Sequence, residues 1–176
     1  MLLDCDTTSR IFGLGKGVAL KKIMKNKDFC ELAKVFRQPP SDPKETIITA
    51  GEKSLVCLYG GDSTEDLDSL RYRRYCVKVS SMSSALEAKT LPPTSAAAKF
   101  HSLRVYYQIL EWKGMADKLT PVDWGWQVTD GKYLPIQTDK PQAPASLHNV
   151  VRCGCKKDYA TKKCTCRKYV LQCLTA

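Results

Sequence analysis

A mainly α-helical protein is the fold class this sequence predicts, and three features carry the prediction. Apolar residues recur at helical spacing through most stretches between the Pro, Ser, Asp and Gly breaks. The extended signal is confined to one Asp-Gly motif, Asp130-Gly131, between two short runs. Composition is globular, 43% hydrophobic and 26% charged, with no apolar run long enough to cross a bilayer.

The elements follow in order. In VALKKIMKNKDFCELAKVF (18–36), Leu20, Ile23, Met24, Phe29, Leu32, Ala33 and Phe36 set out two short amphipathic helices that meet near Asn26–Asp28. Ile47, Ala50, Ser54, Leu55 and Leu58 mark a third, which Gly51 weakens and Gly60-Gly61 ends. Leu67, Leu70, Arg74 and Val77 mark a fourth, with Ser63 or Thr64 as its N-cap. The clearest helix is TSAAAKFHSLRVYYQILEWKG (94–114). Thr94 or Ser95 caps it, Phe100, Leu103, Tyr107 and Leu110 form one face, and Gly114 terminates it. His101 beside that face reads as a packed or hydrogen-bonded residue. DWGWQVTDGKYLPIQT (123–138) reads as a hairpin turning at Asp130-Gly131. The aromatics Tyr106, Tyr107, Trp112, Trp124, Trp126 and Tyr133 could stack on bases, but a local core is the expectation, because the segment has few other large apolar residues. Pro, Ser and Asp cluster at 38–45, 91–95 and 139–146, as a loop, a helix lead-in and a linker.

Net charge is +10 and the pI about 9.2. The charge is uneven: DSTEDLD (62–68) is acidic, whereas RYRRYCVK (71–78) and 152–168 are strongly basic. A basic balance of this size favours a polyanionic partner, nucleic acid above all, through release of condensed counterions. The opening Met1-Leu-Leu-Asp-Cys-Asp has neither the basic head nor the apolar core of a secretory leader. The nine cysteines are therefore expected as thiols or metal ligands in a reducing compartment. Four of them, Cys5, Cys30, Cys57 and Cys76, are isolated on helical patterns and are expected as buried thiols.

Two motifs carry candidate chemistry. In DCDTTSRIFGLGKGVALKKI (4–23), Gly13 and Gly15 bracket Leu14 ahead of a basic helix. Such a corner lets backbone approach a phosphate, with Lys16, Lys21 and Lys22 adding charge where an anion would lie. At the other end, RCGCKKDYATKKCTCRKYVLQC (152–173) holds five cysteines, two pairs of them Cys-x-Cys, with six Lys and Arg between them. Thiolates so spaced suit zinc, whose tetrahedral site takes four sulfurs at about 2.3 Å. Basic neighbours lower the thiol pKa and offset the cluster's charge.

The first motif resembles the helix-turn-helix hairpin of flap-endonuclease-like, PIN-type 5′ nucleases. That resemblance makes Asp6 a metal carboxylate, Gly13, Gly15 and Lys16 phosphate contacts, and Ala19 the early alanine of the following helix. Asp4 departs from the family's usual glycine. Two-metal cleavage needs several converging carboxylates, and only five residues precede Asp6. Glu45, Glu52, Asp62, Glu65, Asp66 and Asp68 read as solvated helix faces and a loop, so this chain alone is not expected to cut nucleic acid. The cysteine-rich end resembles the front half of a tesmin-type CXC domain, a nuclear DNA-binding module holding three zinc ions. Tyr159 replaces one of that family's cysteines, so the module reads as truncated. Cys153, Cys155, Cys164 and Cys166 would close one zinc site and leave Cys173 spare. By the same resemblance Arg152, Lys156, Lys157, Lys162, Lys163, Arg167, Lys168 and Tyr169 would contact DNA. From LPPTS (91–95) through RCGCK (152–156), the chain is also similar to uncharacterised, transposon-derived animal proteins that join a nuclease-like region to a CXC module.

The resulting expectation has three parts: a helical nuclease-like remnant (1–90), a helix with an aromatic-rich hairpin and Pro-rich linker (91–150), and a partial zinc tail (151–176). The function expected first is zinc-assisted, largely sequence-indifferent DNA binding in the nucleus. Alternatives are part of a divalent-metal nuclease, using Mg or Mn in a longer parent, and a helical protein-interaction module with an inert tail. No membrane partner is expected.

Overall fold

The structure, a computed structural model, describes residues 15–24, 26–39, 43–62, 64–81 and 87–140. It is mainly helical: α1 (Lys16–Ile23), α2 (Lys27–Val35), α3 (Lys44–Leu58), α4 (Leu67–Ser81) and α5 (Ser95–Trp112), then a hairpin of β1 (Trp126–Thr129) and β2 (Lys132–Pro135). Short 3-10 turns occupy Ala88–Thr90 and Pro121–Trp124. The chain divides after Asp139 into two units, and the architecture below is that of the first. The boundary expected at residue 90 falls between α4 and α5, and α5 packs on α3 across it.

α3 is the centre of the fold because it buries a full stripe, Ile47, Ala50, Gly51, Ser54, Leu55 and Leu58, at helical spacing. One end of the stripe packs with Ala19, Phe29, Leu67, Leu70 and Ala98. The other packs with Phe36, Leu103, Tyr106, Leu110 and Trp124. At the crossing of α3 and α5, Gly51 has no room for a side chain. A Cβ there would lie 1.9 Å from Ser102 Oγ and 2.5 Å from Ser102 Cβ. The glycine that weakens α3 as an isolated helix is what lets α5 approach. Ser54 and Ser102, buried at this crossing, donate to the carbonyls of Ala50 (2.7 Å) and Ala98 (2.8 Å).

The helix ends follow local chemistry. Asn26 caps α2 by accepting from Phe29 N (3.2 Å), and Thr94 caps α5 by accepting from Ala97 N (3.2 Å). α3 and α5 close in the same way. Gly60 (φ 69) and Gly114 (φ 65) take the left-handed conformation, and the next residue's N–H returns to Val56 O (2.9 Å) or Leu110 O (2.9 Å). α4 differs from expectation at its start. The residue that caps it is Asp66, whose carboxylate accepts from Ser69 N at 2.7 Å and Ser69 Oγ at 2.9 Å. Asp66 stands directly before Leu67, whereas Thr64 donates back to Asp62 Oδ1 (2.9 Å from N, 2.6 Å from Oγ1) and Ser63 lies outside the described residues.

α5 is buried around more of its circumference than one face. Ala98, His101, Leu103, Arg104, Val105, Tyr106, Ile109 and Leu110 are buried, while Phe100 and Tyr107 are half-buried. Part of the extra cover is the Pro121–Trp124 turn, which leads into the hairpin. The hairpin's two-residue turn has positive φ at Asp130 (51°) and Gly131 (71°), as a type I′ turn requires. Register pairs Trp126 with Pro135 and Thr129 with Lys132. Arg104 ties the base of this hairpin to α5: its guanidinium donates to Gly125 O (3.1 Å) and Ile136 O (2.6 Å). Burial pushes the Arg104 pKa down from its ordinary value.

Two expectations about side chains are corrected. Cys30 and Cys76 are exposed and Cys57 is half-buried: α2 turns Phe29 inward beside Cys30, and Cys76 lies on the half of α4 that stands off the core, while Cys5 lies outside the described residues. Glu52, expected as solvated, is half-buried between three elements, accepting from Leu67 N (3.1 Å) and Ser95 Oγ (2.5 Å), and Glu65, expected likewise, is half-buried in its pair with Arg73.

Candidate nucleic-acid interface

α4 carries the densest basic sequence among the described residues, and its burial explains which side is left open. Leu67 and Leu70 are fully buried and anchor its first turns. Beyond them the inward positions fall to Arg74 and Val77, and both are exposed. The second half of α4 therefore stands off the core. Tyr72, Tyr75, Val77 and Val79 are 69%, 44%, 57% and 49% exposed. Tyr72 and Tyr75 lie near parallel, with ring centroids 6.5 Å apart and planes at 24°. Beside them Arg71, Tyr72, Tyr75, Val79, Ala88 and Leu91 line an open groove of about 660 Å³.

Three cations of α4 are oriented by backbone carbonyls. Arg71 Nη1 donates to Pro92 O, Arg74 Nη2 to Tyr59 O (2.8 Å) and Lys78 Nζ to Thr90 O (3.0 Å). A guanidinium has five donors, so one bond to a carbonyl orients the group without neutralising its charge. Arg73 is different. It forms a two-pronged pair with Glu65, at 2.9 Å from Nε and 2.7 Å from Nη2, and that pair holds the Glu65 carboxyl below its ordinary range. The Tyr72 hydroxyl is pushed up, chiefly by its hydrogen bond with Cys76. Tyr59, half-buried, is pushed up to about 12 by desolvation.

The residues at the start of the chain expected to hold metal (Asp6) or to contact phosphate fall into three groups. Asp6 and Gly13 lie outside the described residues, as does the side chain of Lys16. Gly15 stands at the N-cap of α1, exposed, with φ −67 and open space where a Cβ would be. Neither crowding nor backbone strain in this fold calls for glycine there. Lys21 and Lys22 are exposed on α1, and Lys22 Nζ donates to Leu58 O (2.7 Å), satisfying a carbonyl at the C-terminus of α3. Gly15, Lys21 and Lys22 belong to the start and length of α1, whereas the groove is lined from α4 and the 88–91 segment.

The whole cysteine-rich set, Cys153, Cys155, Cys164, Cys166 and Cys173, with Arg152, Lys156, Lys157, Lys162, Lys163, Arg167, Lys168 and Tyr169, lies outside the described residues. Among the described residues no group of three His, Cys, Asp or Glu side chains could hold a metal ion. The aromatics divide. Tyr106 and Trp124 are core residues, with centroids 5.2 Å apart, and Lys44 Nζ lies 5.1 Å over the Trp124 ring. Trp112 and Tyr133 are 56% and 54% exposed.

Sequence reasoning marked 71–78 as basic but did not single out Tyr72 and Tyr75. The signal was the interleaving itself, two tyrosines within RYRRY, three residues apart and so on one side of a helix. No family model, curated protein or solved structure matches this chain.

Proposed function

We propose that this chain binds DNA, largely without regard to sequence, through contacts to the phosphate backbone, with zinc organising its cysteine-rich end. The single observation that carries the reading is α4, a helix whose exposed half presents Arg74 and Lys78 beside solvent-facing tyrosines on a chain of net charge +10. Cations oriented by backbone carbonyls, yet keeping their charge, suit a repeating polyanion better than a small ligand with one fixed shape. The open backbone at Gly15 adds a second place where a phosphate could approach. The resemblance to CXC modules supports the zinc component, with Cys153, Cys155, Cys164 and Cys166 as the sulfurs that would close one tetrahedral site. A zinc site in so short a segment would be coupled to its folding. Asp6 would serve as a metal carboxylate only in the divalent-metal nuclease reading, which Mg- or Mn-dependent cleavage lost in Asp6→Ala would support.

The test is fluorescence anisotropy with two labelled duplexes of equal length and unrelated sequence, beside zinc analysis of the purified protein. Similar affinities, one zinc per chain and weakened binding after chelation are expected. Discrimination of more than about a hundredfold between the duplexes would contradict sequence indifference. A second reading, a helical protein-interaction module, is favoured by the exposed Val77 and Val79 of α4. Association with protein that is insensitive to salt, by a chain free of zinc, would support it instead.

A further inference from the structure

We infer that the groove along α4 is a stacking platform for the unpaired bases of single-stranded DNA, so that the chain prefers single strands to duplex. The inference rests on the DNA-binding reading and specifies its substrate. Tyr72 and Tyr75 belong to neither cluster of the core, so packing does not account for two large aromatic rings left 69% and 44% exposed. Their centroids are 6.5 Å apart, near the outer limit of a ring pair. The rings therefore leave face area open rather than covering each other.

A nucleobase presents its π-face only when it is unstacked, and duplex DNA presents base edges and phosphates instead. A groove floored by two tyrosines has little to offer a duplex. It matches an unpaired base, whose adjoining phosphates would meet the cations along the same helix. Arg71 lines the groove with the tyrosines. Lys78, one turn beyond Tyr75, is held by Thr90 O, in the segment that supplies Ala88 and Leu91 to the groove's lining. The groove's volume, about 660 Å³, falls in the range of small-ligand sites and accommodates a base with its sugar. Asp68 also borders it and disfavours phosphate at that end, so the strand would run from the tyrosines toward Lys78.

The experiment compares a labelled oligo-dT with a duplex of mixed sequence and the same length, at one salt concentration, using the full chain. The expected result is tighter binding of the single strand. In Tyr72→Ala/Tyr75→Ala the single-strand affinity is expected to drop by roughly 5- to 100-fold, erasing the preference. Tyr72→Phe/Tyr75→Phe keeps both rings and should keep the preference. Circular dichroism confirms that each variant is folded. Equal affinity for both probes, or a preference that survives the double alanine change, would overturn this inference while leaving duplex binding as support for the broader reading. Binding to neither probe would overturn both. Self-association abolished by Tyr72→Ala, without single-strand preference, would assign the stripe to a second copy and overturn the inference.

Discussion

Gly51 sets the distance between α3 and α5, and its replacement gives a sharp test of that contact. In an isolated helix Gly51→Ala would gain about 1 kcal/mol. Here the new Cβ would meet Ser102 Cβ at 2.5 Å, and that atom cannot swing aside because it is fixed to the α5 backbone. The clash decides the sign, and we predict a net loss of about 1–3 kcal/mol. Thermal melting would show a lower midpoint, and Ser102→Gly in the same chain would restore part of it. A midpoint unchanged or raised by Gly51→Ala alone would contradict the crossing. Cysteine accessibility gives a second test. Cys57 is half-buried, and desolvation raises its thiol pKa, against a smaller lowering by Asn26. Cys30 and Cys76 are exposed. In timed alkylation followed by mass spectrometry, Cys30 and Cys76 should be labelled before Cys57.

At the scale of the element, the start of α4 is held by carboxylates. Asp66 accepts from Ser69, Asp62 from Thr64, and Glu65 pairs with Arg73, and each carboxyl is held below its ordinary range by those hydrogen bonds. A carboxyl with a lowered folded pKa stabilises the fold above its unfolded value and loses that contribution as pH falls through the lowered one. Glu65→Gln should therefore reduce the melting midpoint slightly at neutral pH, and the gap should close below about pH 4. A gap that is constant with pH would show that the pair contributes nothing through charge. The hairpin depends on a different tie. Arg104→Ala removes both donors to Gly125 and Ile136 and empties a buried position. We predict a loss of about 3 kcal/mol or more, with exposure of Trp124 and Trp126 readable as a red-shifted tryptophan emission.

Across the whole molecule, the helices were legible because each had a local signature: an apolar stripe for α3, a Thr cap and Gly stop for α5, an Asp-Gly turn for the hairpin. What was not legible depended on contacts between distant residues. Arg104 is ordinarily a surface residue type, and it is buried here only because carbonyls 21 and 32 residues away converge on it. The open face of α4 is of the same kind. Its charge was plain in RYRRYCVK, but which side stays exposed depends on how Leu67 and Leu70 dock and where the 88–92 segment passes. The glycine corner and the cysteine pairs were conspicuous as motifs, yet Asp6, Gly13 and all five cysteines of the tail lie outside the described residues. What the fold adds to the functional reading is therefore α4.

The measurement that tests the central claim most directly is the salt dependence of DNA binding by the full chain. Affinity for a labelled oligonucleotide would be followed from low to moderate KCl. If the contacts are to phosphates, log affinity should fall linearly with log salt, with a slope of about −3 or steeper for several phosphates neutralised. Arg74→Ala and Lys78→Ala should each make that slope shallower by about one or less, because each removes one contact. A flat salt response, or no binding at low salt, would contradict the account.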